Sequence, residues 1–537
     1  MESSCENTAK DAHVVYRIYV KSFFDSDGDG IGDVKGITSK LSYFRSLGIS
    51  ALSLTSVFET DSDDLFFSVT DHKRINPAIG SLSDLDELIQ TAHSMDIRIY
   101  LSFPLGFTSS SHSWFEKSRE GVNLNPYREY YIWKKGNGKS APSGDRTPFK
   151  TPVWYCDDKS GEWYYSYFGM RYPELNFDNP RLRKEIIDTL RFWIDNGVDG
   201  FTFENVHFAT DKPLLADQAL LYKSGEDLFT EGRGIYRMLR EIREKCADIP
   251  ILLDPFIVSS DIYPYLISGE KPIADALIDK TLISETALFG KNAFSAKDFT
   301  EEYLHSQTAP FARKTVIAFD EKDHSRLLSK FASPSDERNI SAAKMLCALL
   351  FTAVASPSVH QGEEIGMTDF LRFKTGEHKG YTAAPELLHA RSPFQWDNNR
   401  NAAFTANPYS AIPVNDNYHK INVLAEIADP DSVLSFYRRM ITFRAASPAL
   451  LVGTFRDYSD GNLLCFLREA DNEKLLLIAN PTPKPLNAKP PRELLGRSAL
   501  CEICNYGVVS KTLNETMGLR PFEVRIFRFS PSRLALN

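Results

Sequence analysis

The segment VDGFTFENVHF, Val198 to Phe208, reads as a short buried strand that ends by presenting a carboxylate, Glu204, beside Asn205 and His207. An acid at the end of a buried strand is where an α/β-barrel enzyme keeps a nucleophile or a proton donor. A second cluster, DSDGDGIGD, spaces Asp25, Asp27, Asp29 and Asp33 among Gly28, Gly30 and Gly32. Oxygen ligands so spaced, with the carbonyl of Ile31, suit a hard cation such as Ca²⁺ in a structural role; a solvated acidic turn is the other reading. An EF-hand would need glutamate at loop position twelve, which is Gly36 here. Ser102 has no positioned histidine base, which argues against a serine hydrolase. His207 and His324, lone histidines near strand ends, read as hydrogen-bonded or solvated, and His360 as packing. Cys501 and Cys504 in CEIC have no second pair, so a metal site there is not expected.

The elements that must carry these groups follow from pattern. HVVYRIYV, ALSLTSVF, RIYLSFPL and PILLDPFI are strand-like runs, and helical patterns such as SLSDLDELIQTAHSMDI and NPRLRKEIIDTLRFWIDNG alternate with them. SAAKMLCALLFTAVASP reads as a helix running into a short apolar turn. Strict alternation implies parallel βαβ units, and through residue ~450 the count fits an eightfold (β/α) barrel. Some 75 residues rich in aromatics separate RIYLSF from NPRLRKEI, too many for a plain loop, and so predict an inserted domain. After residue ~455, short β runs broken by Pro, Gly and Asn predict an antiparallel domain, drawn as a β-sandwich. The expected division is 1–103 with 176–454 for the barrel, 104–175 for the insertion and 455–537 for the terminal domain.

Composition bounds the rest. The chain has 537 residues, 42% hydrophobic and 25% charged, with net charge -9. That balance offers no footprint for nucleic acid. No run approaches 18 apolar residues, the polar N-terminus lacks signal-peptide character, and seven scattered cysteines read as reduced thiols. A cytoplasmic protein without a membrane segment is expected.

Several motifs in one order carry a resemblance that spans nearly the whole chain. VVYRIYVKSFFDSDGDGIGDVKGITSKLSYFRSLGIS, YPELNFDNP, HQGEEIGM, RSPFQWDNNRNAAFT and INVLAEIADPDSVLSFYRRMITFR are similar to the α-amylase family, glycoside hydrolase family 13, in its oligo-1,6-glucosidase and α-glucosidase branch. The chain also resembles the amylase-like heavy-chain ectodomains of heteromeric amino-acid transporters. The resemblance implies a (β/α)₈ barrel, an inserted B domain, a bound calcium ion and retaining α-glucoside hydrolysis.

Carried over position by position, the catalytic pattern is altered. The nucleophile motif Gly-Phe-Arg-x-Asp corresponds to Gly200, Phe201, Thr202, Phe203 and Glu204. The acid/base glutamate corresponds to Asp254, and the family's Asn-His-Asp to Glu321, Lys322 and Asp323, with Arg326 matching a downstream arginine. A glucose-seating Tyr-x-Asp pair becomes Phe67-Ser68, and a sugar-bonding histidine becomes Phe107. By resemblance, Ser68, Phe107, Thr202, Lys322 and Arg326 stand at substrate-binding positions, and Glu204, Asp254 and Asp323 at catalytic ones. A displacement of ~1 Å can cost about 10²-fold in rate, and losing the arginine removes a cation beside the nucleophile. Lys322 is expected to pair with Glu204 or Asp254 instead. Two functions follow: an inactive or impaired glucosidase homologue that binds a carbohydrate or a protein partner, or a retaining α-glucoside-acting enzyme or transglycosidase that uses Glu204, Asp254 and Asp323.

Overall fold

The structure is a computed structural model of the chain. It describes residues 14–55, 57–61, 68–120, 125–147, 151–206, 233–255, 266–268, 272–283, 295–332, 338–370, 389–507 and 512–530. Phe67 and His207 lie outside the described residues.

Eight parallel strands close into a barrel: β1 (Val15–Tyr19), β2 (Ala51–Thr55), β3 (Arg98–Pro104), β4 (Gly200–Val206), β5 (Ile251–Pro255), β6 (Ala276–Asp279), β7 (Thr315–Ala318) and β8 (Ser356–His360). Each strand pairs with its neighbours in chain order, and β8 returns to β1 through Val15 opposite Ser358. The residues after Ala355, expected as a short apolar turn, form β8. Strand and helix-to-strand turn are hard to tell apart in a run of five, and closing the ring decides it.

Alternation along the strands sorts the side chains. Tyr16, Ile18, Leu52, Leu54, Ile99 and Leu101 join the cluster beneath the helices. Val15, Ala51, Tyr100, Leu252, Ile278 and Val316 fill one end of the barrel interior. The Tyr100 ring leaves no room for a side chain at Gly200, where a Cβ would meet it at 2.8 Å. Above this layer Ser53 Oγ lies 3.2 Å from Thr202 Oγ1 and 3.5 Å from Ser102 Oγ. The barrel core therefore passes from apolar to hydroxyl before it reaches the charged end.

The helices follow their sequence signals. Residues Leu82–His93 start from a capping box between Ser81 and Asp84 and bury Leu85, Leu88, Ile89 and Ala92 on one face. Pro180–Asp195 starts with proline after the Asn179 cap and buries Leu182, Ile186, Ile187, Leu190 and Trp193.

Between β3 and Pro180 the chain builds a small aromatic unit. A helix, Ser113–Ser118, packs on three short strands ordered Trp133–Lys134, Trp163–Tyr165, Trp154–Cys156. The Phe115 ring stacks on Trp133 at 5.5 Å and meets Tyr164 edge-on at 5.0 Å. The stem of the insertion is closed by an antiparallel bridge between Phe107 and Glu174.

The terminal domain is a five-stranded antiparallel sheet in the order Thr454–Asp457, Leu464–Ala470, Glu473–Ala479, Val524–Phe529, Ala499–Cys504. Leu464, Phe466, Leu475, Leu477 and Ile526 face the main core, while Cys465, Leu467, Leu476, Ile478 and Phe527 face a two-stranded ribbon, Leu486–Ala488 with Met517–Leu519. The expected sandwich is thus a sheet with a ribbon on one face and the barrel on the other. The inner strands Leu464–Ala470 and Glu473–Ala479 are buried on both faces over LCFL and LLLIA, so they read as continuous apolar runs.

A buried arginine of the sheet, Arg468, joins it to the barrel, and a buried barrel arginine, Arg444, binds carbonyls of the same region. Arg468 donates to the carbonyls of Thr352, Leu450 and Gly453, and Arg444 to those of Phe351, Ala353 and Ala355. The carbonyls of Phe351, Thr352 and Ala353 end the helix Asn339–Thr352, where the dipole favours a cation. Burial, followed by the neighbouring Arg444, pushes the Arg468 guanidinium down to about 9. Arg468→Met should keep the stem's packing and orphan these carbonyls, at a cost of roughly 2–4 kcal/mol. Chemical denaturation that gave an unchanged midpoint would show that the clasp does not hold the domains together.

Candidate active site

Glu204 is the fifth residue of β4, and Asp254 lies near the end of the adjacent β5. Asp323 follows β7. All face one cup at the carboxyl end of the barrel, but they are not alone there. Arg17, a charged residue inside the otherwise apolar β1, projects into the same cup, as do Lys280 after β6, Glu321 and Lys322 after β7, and Arg391.

The charges alternate along one connected chain. Arg391 and Lys322 both contact Asp323, and Lys322 Nζ lies 3.2 Å from Glu204 Oε2. Arg17 Nη2 lies 3.8 Å from Glu204 Oε1 and 3.0 Å from Asp254 Oδ2. Lys280 Nζ sits 2.5 Å from both Asp254 Oδ1 and Glu321 Oε2, and His324 closes the chain on Glu321. Four cations thus face four acids; Arg17, Glu204, Asp254, Glu321, Lys322 and Arg391 are buried, and Lys280 and Asp323 half-buried. The expected pairing of Lys322 is the one to Glu204.

Desolvation makes this arrangement costly unless the charges match. Burial pushes the Glu321 carboxyl up, but Lys280, His324 and Arg17 outweigh it and hold it well below the carboxylate range. Burial likewise raises Asp323, and Lys322 with Arg391 reverses the sign. Burial lowers Lys280 and Lys322, and their acid neighbours bring both above the ordinary lysine value. Glu204 differs from the rest: it has two cation neighbours, yet neither oxygen has an aligned hydrogen bond among the described residues.

Four positions matched to substrate binding have contacts within the protein. Thr202 belongs to the hydroxyl layer beneath the cup. Phe107 packs on Phe168 and Tyr172 at the stem of the insertion, where an apolar ring suits a buried bridge. Ser68 donates to Asp61, which also accepts from Ser109 and so joins the barrel side to the insertion. Arg326 is fully buried against Asp320 and the carbonyls of Gln361 and Ala390, with no reach into the cup. His324 pairs with Glu321, and His360 is buried with its Nε2 near the Ala390 carbonyl.

The acidic loop gathers three of its four carboxylates. Ligand oxygens of Asp25, Asp27 and Asp29 lie within 4.8 Å of one another, a span suited to oxygens around one Ca²⁺. Burial, followed by the adjoining Asp27, Asp25 and Asp33, pushes the Asp29 carboxyl up, which a cation would relieve. Asp33 stands apart: it caps the helix Val34–Ser39 through Gly36 N and accepts from Ser26. A helix start beside an acidic turn gives the same residue two uses, and the capping one is satisfied here. Cys501 and Cys504 are unbridged.

The α-amylase catalytic-domain family model matches residues 17–453. The chain belongs to the α-amylase family. An oligo-1,6-glucosidase of Parageobacillus thermoglucosidasius is 29% identical over 96% of this chain and 98% of its own length. A trehalose-6-phosphate hydrolase of Escherichia coli K12 is 31% identical over 95% and 97%. Among solved structures, an isomaltulose synthase from Klebsiella sp. LX3 superposes with TM-score 0.86 at 27% identity, covering 96% of this chain and 99% of that one. Every one of these names denotes an enzyme, which speaks for the active expectation over the inactive one. No helix of the described residues is long and apolar enough to cross a membrane.

Two measurements test the site. If Ca²⁺ is held by Asp25, Asp27 and Asp29, excess EDTA should lower the melting temperature, and added Ca²⁺ should restore it, because the ion binds only the folded loop. An unmoved curve, with no metal by elemental analysis, would remove the ion. The second is pH. Folded Glu321 and Asp323 lie below their unfolded values, so their stabilisation is present above about pH 4 and lost as pH falls further. Lys280→Met should shrink that acid limb, since it removes the largest favourable neighbour of Glu321; an unchanged limb would place its origin elsewhere.

Proposed function

We propose that this α-amylase-family member does not carry out acid-assisted α-glucoside hydrolysis at its barrel mouth, and acts by binding a carbohydrate or a protein partner. A cytoplasmic setting and a structural Ca²⁺ belong to the same reading. One observation carries it. Both oxygens of Asp254, at the proton-donor position, are taken by cations, Arg17 at 3.0 Å and Lys280 at 2.5 Å. A retaining glycosidase needs that group to deliver a proton to the leaving oxygen. With both oxygens held by cations, neither is left facing a leaving oxygen. By the resemblance, Ser68 and Phe107 replace a glucose-seating aspartate and a sugar-bonding histidine, which removes contacts that would orient a sugar ring, and orientation supplies much of the rate.

A second reading is favoured by the relatives' names and by Glu204. Among the described residues its carboxylate has two cations nearby and no aligned hydrogen bond, as a nucleophile awaiting a sugar would. In that reading the chain is an α-glucoside hydrolase or transglycosidase with Asp254 and Asp323 in supporting roles.

Maltose, isomaltose, trehalose, trehalose 6-phosphate, sucrose and an aryl α-glucoside separate the two. The proposal expects no turnover above that of a Glu204→Gln control. Hydrolysis by the wild type that Glu204→Gln abolishes would sink it and establish Glu204 as the nucleophile.

A further inference from the structure

We infer that Arg17 is a built-in occupant of the place where a scissile glycosidic bond would lie, a guanidinium lodged between the nucleophile and proton-donor positions. The inference rests on the reading just proposed and names what enforces it.

The geometry is direct. In a retaining enzyme the two carboxyl groups stand roughly 5–5.5 Å apart with the reacting bond between them. Here a single atom, Arg17 Nη2, lies 3.8 Å from Glu204 Oε1 and 3.0 Å from Asp254 Oδ2. A nitrogen at those distances fills the gap that an anomeric carbon and its oxygen would need. Arg17 arrives from β1, which stands opposite β5 in the closed ring, so its side chain crosses the barrel to reach Asp254. The same guanidinium extends to Glu321, with Nη1 at 3.9 Å. The group is also positively charged, as the sugar is in an oxocarbenium-like transition state. Two carboxylates shaped to meet such a cation hold one permanently.

Lys280 supports the arrangement from the next strand. It takes the other oxygen of Asp254 and neutralises Glu321, which leaves Asp254 Oδ2 to Arg17. Arg17 is therefore a positioning residue that closes the site, and Lys280 its partner. Small cations of the guanidinium or amine class are the ligands this gap would accept once Arg17 is shortened.

Chemical rescue tests the assignment. Arg17→Ala leaves Glu204 and Asp254 facing a cavity, and ethylguanidinium at millimolar concentration should refill it. The expected result is a rise of roughly 2–4 °C in melting temperature for Arg17→Ala over an equal concentration of NaCl. The wild type, and Arg17→Ala carrying Glu204→Gln and Asp254→Asn, should show no rise. Equal responses in all three proteins, or none in any, would overturn the assignment. If Arg17→Ala does not fold, Arg17→Gln provides the same test through a cycle. Asp254→Asn should lower the melting temperature of the wild type, where it strands a buried cation, and leave that of Arg17→Gln unchanged or higher. Equal losses in both backgrounds would overturn the assignment. Arg17→Lys, which keeps a cation, should behave as the wild type in that cycle. Hydrolysis of an α-glucoside by the wild type sinks the preceding functional reading whatever ethylguanidinium does; a failed rescue sinks the role of Arg17 alone.

Discussion

Charge neutrality in a desolvated barrel mouth is the constraint from which the rest of this structure follows. Four carboxylates packed out of water repel one another, and each loses hydration. They persist because Arg17, Lys280, Lys322 and Arg391 stand among them in alternation. Removing any one charge leaves its neighbour buried and unmatched, which costs more than the pair was worth. The mouth therefore behaves as one unit, and no single residue in it can be given its own energy.

The layers below make the unit possible. An aromatic plug at Tyr100 against Gly200 fills the closed end, and the hydroxyls of Ser53, Ser102 and Thr202 form a polar floor. A floor of small hydroxyls leaves width for a guanidinium to cross from β1 to β5.

Much of this was legible in order along the chain. Strand and helix alternation gave the barrel, the aromatic run gave the insertion, and FTFE marked the strand end that carries Glu204. Matching motif to motif located Asp254, Asp323 and Lys322. What escaped were groups whose meaning lies in distant partners. Arg17 sits in VVYRIYV as one polar residue in a strand, and its contact with Asp254 spans 237 positions. Its only local signal is that a charge at an inward site of a buried strand must find a counter-charge. Lys280 follows a four-residue strand too short to stand out. Arg391 lies in a quoted motif, RSPFQWDNNRNAAFT, with nothing local to single it out. For Arg326 and Phe107 a motif match transfers position without transferring which way a side chain turns.

Barrel closure sets a schedule for synthesis. Tyr16 donates to Glu364, 348 residues further along, and β1 receives its second neighbour only when β8 exists. At a ribosomal rate of about 5–20 residues per second, β1 waits roughly 20–70 s with one edge unpaired and Arg17 without its acids. An unpaired edge recruits other strands, and a chain dominated by such distant pairings folds slowly. An arginine amid the apolar residues of β1 makes that edge less adhesive to other nascent chains during the wait. The same side chain that fills the finished barrel thus acts earlier as a guard on the incomplete one.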